Sequence, residues 1–163
     1  MAGAKANMFV SEKVTKDTTV NGDTATTKLT VEYKNPYPGS DCGLESGGLC
    51  LNAPLRNWVR IYVPTGSKLT ESKGSQSPKD NQPVPLDTYD DLGKTVFEGF
   101  LIVNPMGTAR LDLTYTSPVK SEDGKYHILI QKQPGTEGDE WSIKLGGREK
   151  KKFMLETDTE LVL

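Results

Sequence analysis

The fold class is decided by the stretch Thr24-Ala25-Thr26-Thr27-Lys28-Leu29-Thr30-Val31-Glu32-Tyr33-Lys34. Its second half alternates apolar with polar side chains, so an extended segment here has one apolar face and one polar face. That period of two is typical of a β-strand that packs one face on a hydrophobic core. Asn21-Gly22-Asp23 before it and Asn35-Pro36-Tyr37-Pro38-Gly39 after it are turn-forming sequences that bound the strand.

The same alternation recurs along the chain, and no segment has a convincing helical period. It predicts about eight strands, with further short candidates at 68–70 and 161–163. The predicted strands cover residues 8–15, 24–34, 55–64, 95–103, 109–115, 125–132, 140–145 and 151–156. Short strands at regular spacing predict an all-β fold, an antiparallel two-sheet β-sandwich that is immunoglobulin-like in general architecture.

The length of 163 residues fits one domain. We expect a single β-sandwich domain over 8–163, preceded by an N-terminal tail at 1–7 whose Met1-Ala2-Gly3 is typical of residues added for expression. Long loops are predicted at 36–54 and 71–93, because both segments are rich in Gly, Ser and Pro and poor in large apolar side chains.

The charges are mixed in sign, with a net charge of −2, which argues against nucleic acid as a partner. The basic run Arg148-Glu149-Lys150-Lys151-Lys152 indicates a solvated hairpin or a charged edge strand, with an anionic-surface patch as the alternative. No stretch approaches the roughly 20 apolar residues that span a bilayer, so direct membrane insertion is not expected. Since the start also lacks a signal peptide, an exported protein of this kind is expected to be longer than this chain.

The two cysteines, Cys42 and Cys50, lie in a segment rich in Gly and Ser. Their even number, close spacing and loop setting favour a disulfide, and hence an oxidising compartment. Free thiols and a metal site remain as alternatives. A metal site needs further ligands nearby, and the single histidine, His127, is far along the chain.

Catalytic motifs are missing from the sequence, so we expect no enzyme activity and no cofactor. His127 stands between Tyr126 and Ile128 in a predicted strand, where a surface-facing histidine is the simplest interpretation. Asp87, Asp90 and Asp91 form a weak candidate for a Ca²⁺ site, although their spacing matches no known calcium loop. The alternative for these three is a solvated acidic loop.

A speculative ligand-binding stripe alternates along the strand predicted over 55–64. Arg56, Trp58, Arg60 and Tyr62 share one face of it. If that face is open, the rings can stack on sugars or on a protein partner. If a second sheet covers it, Trp58 belongs to the core and the arginines reach past its margin. We expect the covered arrangement.

Four segments together resemble the C-terminal β-domain of bacterial surface proteins of the "domain of unknown function four-zero-one-two" type. They are 55–67, 96–103, 111–115 and 130–136, of which Gln131-Lys132-Gln133-Pro134-Gly135-Thr136 is the most specific. The resemblance implies a membrane-anchored bacterial envelope protein with an extracellular body, and it implies no catalytic residues. The cysteine loop is not part of the shared pattern.

The function predicted from these observations is a non-catalytic extracellular module, structural or protein-interacting, of a bacterial cell-envelope protein. Its partner is then another envelope protein. One alternative is a carbohydrate-binding module for cell-surface glycans, and another is an accessory domain of an upstream envelope enzyme. An exposed aromatic row that includes Trp58 or Trp141 favours the glycan alternative, and burial of both tryptophans favours the structural one.

Overall fold

The computed structural model describes residues 5–43, 45, 47–119, 124–134 and 138–163. A short 3-10 helix, Ala6–Phe9, opens this part of the chain, and the regular structure that follows is β. In the described residues the strands are β1 Ser11–Asn21, β2 Thr24–Asn35, β3 Leu55–Pro64, β4 Lys68–Lys73, β5 Asp87–Asp91, β6 Lys94–Val103, β7 Gly107–Pro118, β8 His127–Ile130, β9 Asp139–Leu145, β10 Arg148–Leu155 and β11 Thr159–Val162. The all-β prediction is confirmed, with eleven strands in place of about eight. The described residues contain no helix with the length and the apolar character needed to cross a bilayer.

Two layers make the predicted sandwich. One layer is a six-stranded sheet in the order β10-β9-β1-β2-β7-β4. The other layer consists of a three-stranded sheet, β3-β6-β5, and a two-stranded sheet, β11-β8. Neighbouring strands are antiparallel except β1 and β9, which run parallel. This one parallel pair departs from the expected antiparallel arrangement, because the chain crosses between layers before it returns beside β1.

The hydrophobic core has two parts, one under each small sheet. The larger part joins the six-stranded sheet to β3-β6-β5 through fully buried side chains such as Phe97, Leu101 and Leu111. The smaller part packs β11-β8 on β9 and β10 through Ile130, Ile143, Leu155 and Leu161. Burial of this apolar area is the main contribution to stability, at roughly 25 cal/mol per Å².

The first strand of the first hairpin begins later than the predicted 8–15 and continues six residues further, up to the turn. β1 pairs with β2 from Ser11↔Lys34 to Asn21↔Thr24, and Gly22 in the turn takes a positive φ of 57°. Within the tail predicted at 1–7, Ala6 is buried at the start of the 3-10 helix. Its neighbours Lys5 and Asn7 are exposed.

The loop predicted at 71–93 is shorter than expected. Its first residues continue β4 to Lys73, and Asp87–Asp91 forms β5 at the edge of the three-stranded sheet. Between them, Leu86 is buried and Gln76 N–H donates to the Phe100 carbonyl oxygen at 2.8 Å. Pairing with β6 stabilises Asp87–Asp91 as a strand, although the polar composition of this segment does not indicate one.

The loop predicted at 36–54 is present and holds a disulfide between Cys42 and Cys50, with Cα atoms 4.3 Å apart. Buried Asn52 fastens its C-terminal end, since its side-chain amide donates to the carbonyl oxygens of Pro38 at 2.8 Å and Tyr37 at 3.2 Å. Asn35 donates in turn to Asn52 at 2.7 Å. The basic run at 148–152 lies on β10, an exposed edge strand, as one of the interpretations predicted.

Candidate functional site

The stripe on β3 faces outward from the sandwich. Alternation along Leu55–Pro64 turns Val63 into the core and leaves Trp58 57% and Tyr62 44% exposed. Arg56 and Arg60 are exposed on the same side. The expectation that a second sheet covers this face is wrong. The six-stranded sheet packs on the opposite side of β3, and no described residue forms a third layer outside it.

Strand β6 supplies a buried floor beneath the stripe. Trp58 lies opposite Phe100 and Tyr62 lies opposite Val96, and these two β6 residues are almost fully covered. The ring centroids of Trp58 and Phe100 are 5.4 Å apart, and the Arg56 guanidinium carbon lies 5.0 Å from the Phe100 centroid. Both contacts are in the range of favourable aromatic and cation–π interactions. The outward rings therefore rest on a packed layer.

Polar groups fix the middle of this face. Glu98 on β6 accepts hydrogen bonds from Tyr89 Oη at 2.7 Å and from Arg60 Nε, and the arginine also forms an ion pair with it. Tyr62 Oη donates to Asp91 Oδ2 at 3.1 Å. The hydrogen bond from Tyr89 and the Arg60 guanidinium lower the pKa of Glu98 below its usual value, so the carboxylate stays ionised.

We call the group formed by Arg56, Trp58, Arg60, Tyr62, Tyr89 and Glu98 the aromatic face. Tyr62 and Tyr89 both lie opposite Val96, one on each side of it. They therefore belong to β3 and β5, the two strands that flank β6. Trp58 and Tyr62 are four residues apart on one strand, about 13 Å along it. Three exposed rings thus surround a fixed ion pair, an arrangement that can stack on flat apolar surfaces and hydrogen-bond to hydroxyl groups.

Sequence reasoning found four members of this face and missed Tyr89 and Glu98. Tyr89 fell within the predicted 71–93 loop, and its neighbours are Asp and Thr. Only the pairing of β5 with β6, Tyr89 with Val96, places its ring beside Tyr62. The segment Asp87–Asp91 has no alternation of apolar and polar side chains that could have indicated a strand here.

The three aspartates of the weak calcium candidate are not gathered into one site. β5 turns Asp90 to the side opposite Asp87 and Asp91, and Asp90 accepts a hydrogen bond from Thr95 at 3.0 Å. Within the described ranges, no group of three or more His, Cys, Asp or Glu side chains is placed to hold a metal ion. His127 is exposed on β8, as its sequence position predicted.

A separate acidic pair is formed by half-buried Glu12 and buried Asp139. Glu12 on β1 is opposite Tyr33 on β2, and burial, followed by the negative charge of Asp139, raises the pKa of Glu12 to about 7. Burial also raises the pKa of Asp139, although nearby Lys132 opposes this. A hydrogen bond with Tyr33 favours the charged form of Glu12 but does not offset its desolvation.

Buried Lys16 is surrounded by hydroxyl groups. Its ammonium group donates to Thr18 at 2.7 Å, Tyr126 at 3.1 Å and Thr27 at 3.4 Å. These bonds use the three donors of the group and tie β1 to the residue that precedes β8. We assign Lys16 a structural role at the junction of the two core regions.

Trp141 is partly buried on β9 and packs against both core regions. It is therefore separate from the aromatic face. Residues Gly135 and Thr136 of the most specific resembling segment lie outside the described residues, whereas Gln131 to Pro134 follow β8 without regular structure.

Comparison with known proteins shows no family for this chain. No protein-family model matches the chain, and no curated protein matches it. Among solved structures, a two-domain M1 zinc metallopeptidase mutant bound to L-tryptophan is similar with a TM-score of 0.46 and 10% identity, over 83% of this chain and 32% of that one. An M1 zinc metallopeptidase mutant from Deinococcus radiodurans, bound to a Tyr-Ser-Ala substrate, is similar at a TM-score of 0.44 and 12% identity, with the same coverage. The chain spans about a third of the length of these structures, and similarity at this level carries no inference about function.

Proposed function

We propose that this chain is a non-catalytic binding module of an extracellular envelope protein, and that its aromatic face binds a cell-surface glycan. The observation that carries the proposal is the exposed row of Trp58, Tyr62 and Tyr89 over a buried floor. Exposed aromatic side chains of this size, clustered on one face of a soluble domain, are typical of binding surfaces.

The position of the rings supports a glycan in particular. Tyr62 and Tyr89 are tethered through their hydroxyl groups to Asp91 and Glu98, so binding costs little side-chain entropy. The ring faces offer apolar area to the C–H side of a sugar. The Arg60–Glu98 pair between them offers charged donors and acceptors to sugar hydroxyls.

The extracellular and envelope setting is also a proposal. It is supported by the disulfide in the loop, since such bonds persist in oxidising compartments, and by the resemblance of the strand segments to bacterial surface proteins. The non-catalytic role is supported by the absence of catalytic sequence motifs. An accessory role beside an upstream enzyme is compatible with a glycan-binding face.

The test is binding of the chain to an array of cell-wall and surface polysaccharides, followed by titration of any positive glycan. We expect Trp58→Ala to weaken binding by about 2 kcal/mol, roughly thirtyfold in Kd, as for a central aromatic contact. Tyr37→Ala is the matched control, because Tyr37 is an equally exposed ring outside the face, and its affinity should be unchanged. If the chain binds no polysaccharide, or if both variants lose affinity equally, a glycan is excluded as the ligand of the aromatic face.

A structural or protein-interacting role remains the second candidate. It is favoured by a different observation, the edge of β3 that no described strand pairs with.

A further inference from the structure

Strand edges differ in how well they are protected against pairing with another chain. β10 carries the lysine run and a bulge between Glu149 and Lys151, and β4 carries a bulge between Leu69 and Glu71. β5 is five residues long with three aspartates, and β8 and β11 have four residues each. Charges, bulges and short length are the usual devices that block edge-to-edge association.

β3 has no bulge and is not short, although it carries two exposed charges, Arg56 and Arg60. It is ten residues long and pairs with β6 in unbroken register from Leu55↔Val103 to Pro64↔Lys94. Its only proline is the last residue. On its other side, no described backbone group hydrogen-bonds to residues 55–63. The N–H and C=O groups on that side are therefore available to a further strand.

The apolar side chains beside this edge are incompletely covered. Val59 and Ile61 point toward the core but remain half-buried, whereas Phe97 and Leu101, their inward neighbours on β6, are fully buried. A strand added next to β3 would cover the exposed parts of Val59 and Ile61. The edge thus offers both backbone hydrogen bonds and apolar area.

We propose that β3 receives an extended peptide strand of a partner protein in which acidic residues alternate with apolar ones. Residues directly opposite in a sheet share a face, so acidic side chains opposite Arg56 and Arg60 would leave apolar ones opposite Val59 and Ile61. Among the described residues no carboxylate pairs with Arg56, whose guanidinium donates to the Pro78 carbonyl oxygen at 2.9 Å. A second copy of this chain fits less well, because self-pairing brings four arginines to one face.

This proposal goes beyond glycan binding and does not depend on it. A glycan would lie on the outward rings, and the peptide would lie beside the strand in the plane of the sheet. Val59 faces inward and is not part of the aromatic face, so its substitution separates the two sites.

The experiment uses a fluorescent ten-residue peptide of alternating Glu and Val, with fluorescence anisotropy as the readout. Val59→Lys introduces the inward charge that protects natural edges, and we expect it to weaken peptide binding at least about tenfold. Val162→Lys, the same change at an exposed position of β11, should have no effect. Arg56→Glu should weaken peptide binding about fivefold at low salt, because the new carboxylate would lie opposite an acidic residue of the peptide. Glycan binding should survive Val59→Lys.

Backbone pairing is tested without any variant by hydrogen exchange. Peptide binding should slow exchange of the amides of β3 that point away from β6, and a peptide N-methylated at the alternate residues whose N–H groups point to β3 should not bind. Equal binding of the two peptides, or equal binding by the wild-type chain and Val59→Lys, would overturn the proposal. Sedimentation that shows a dimer lost in Val59→Lys would also overturn it and assign the edge to a second copy.

Discussion

The half-buried Glu12 carboxyl should make this domain less stable at neutral pH than at mildly acidic pH. Burial raises its pKa from 4.5 in the unfolded chain to about 7 in the folded protein. Between these values the folded state holds a proton that the unfolded state has released. Stability is therefore greatest below pH 4.5 for this group and falls as the pH rises toward 7. The difference corresponds to about 3 kcal/mol.

Other carboxylates act in the opposite sense at lower pH. Ion pairs and hydrogen bonds lower the pKa values of Asp112 and Glu140, so the folded state loses their contribution as they protonate. Both side chains are more than a third exposed, and their effect is small because solvent screens it. We expect the free energy of unfolding to pass through a maximum near the ordinary pKa of a glutamate.

The assay is urea denaturation at a series of pH values, with Glu12→Gln as the variant. The amide keeps the size of the carboxyl and the hydrogen bond with Tyr33, but it cannot ionise. The variant should lack most of the fall in stability between pH 5 and 7, and should be more stable than the wild-type protein at pH 8. Glu160→Gln, at an exposed position of β11, is the control and should follow the wild-type curve.

A wild-type stability that is constant or rising between pH 5 and 7 would refute this reasoning. So would a Glu12→Gln curve parallel to that of the wild type. A fall that persists in Glu12→Gln but disappears in Asp139→Asn would assign the effect to the second buried carboxyl, whose pKa burial also raises.

Two further predictions concern the packing and the disulfide. Gly99→Ala should destabilise the domain by about 1–3 kcal/mol in chemical denaturation, because its Cβ would lie 2.3 Å from Leu86 Cδ2 and force that buried side chain to shift; a variant as stable as the wild type would show that Leu86 moves freely. Replacing both Cys42 and Cys50 with serine should lower the free energy of unfolding by at most about 2.5 kcal/mol, the entropy of closing so short a loop. The wild-type chain should gain two hydrogens in mass on reduction, and a chain that gains none would contradict the disulfide.

Much of the fold could be read from alternating side chains, and the failures have a common cause. The strands around Leu29 and Leu111 have apolar faces that pack on the core, so their pattern is visible in the sequence. β5 consists of Asp, Thr and Tyr, and its strand conformation comes from hydrogen bonds with β6. Backbone pairing is independent of side-chain polarity, so it leaves no periodic signal at an edge.

The candidate site was predicted in part for a similar reason. Alternation placed Arg56, Trp58, Arg60 and Tyr62 on one face, but it could not say whether that face points to the core or to water. Val63, at the end of the same strand, indicates the inward side only once its burial is seen. A strand with large apolar residues on both faces has no preferred orientation in its sequence alone.

The sequence by itself determined that the chain is a β-protein, that its strands are bounded by turns, and that two nearby cysteines can join. These are local properties, set by the period of the side chains and by the conformations of Gly, Pro and Asn. The tertiary structure decided which face of β3 is exposed to water, brought Tyr89 and Glu98 near Arg60, and placed half-buried Glu12 beside Asp139. Each of those outcomes joins residues from different strands, and sheet order and layer contacts are global solutions that no single segment encodes.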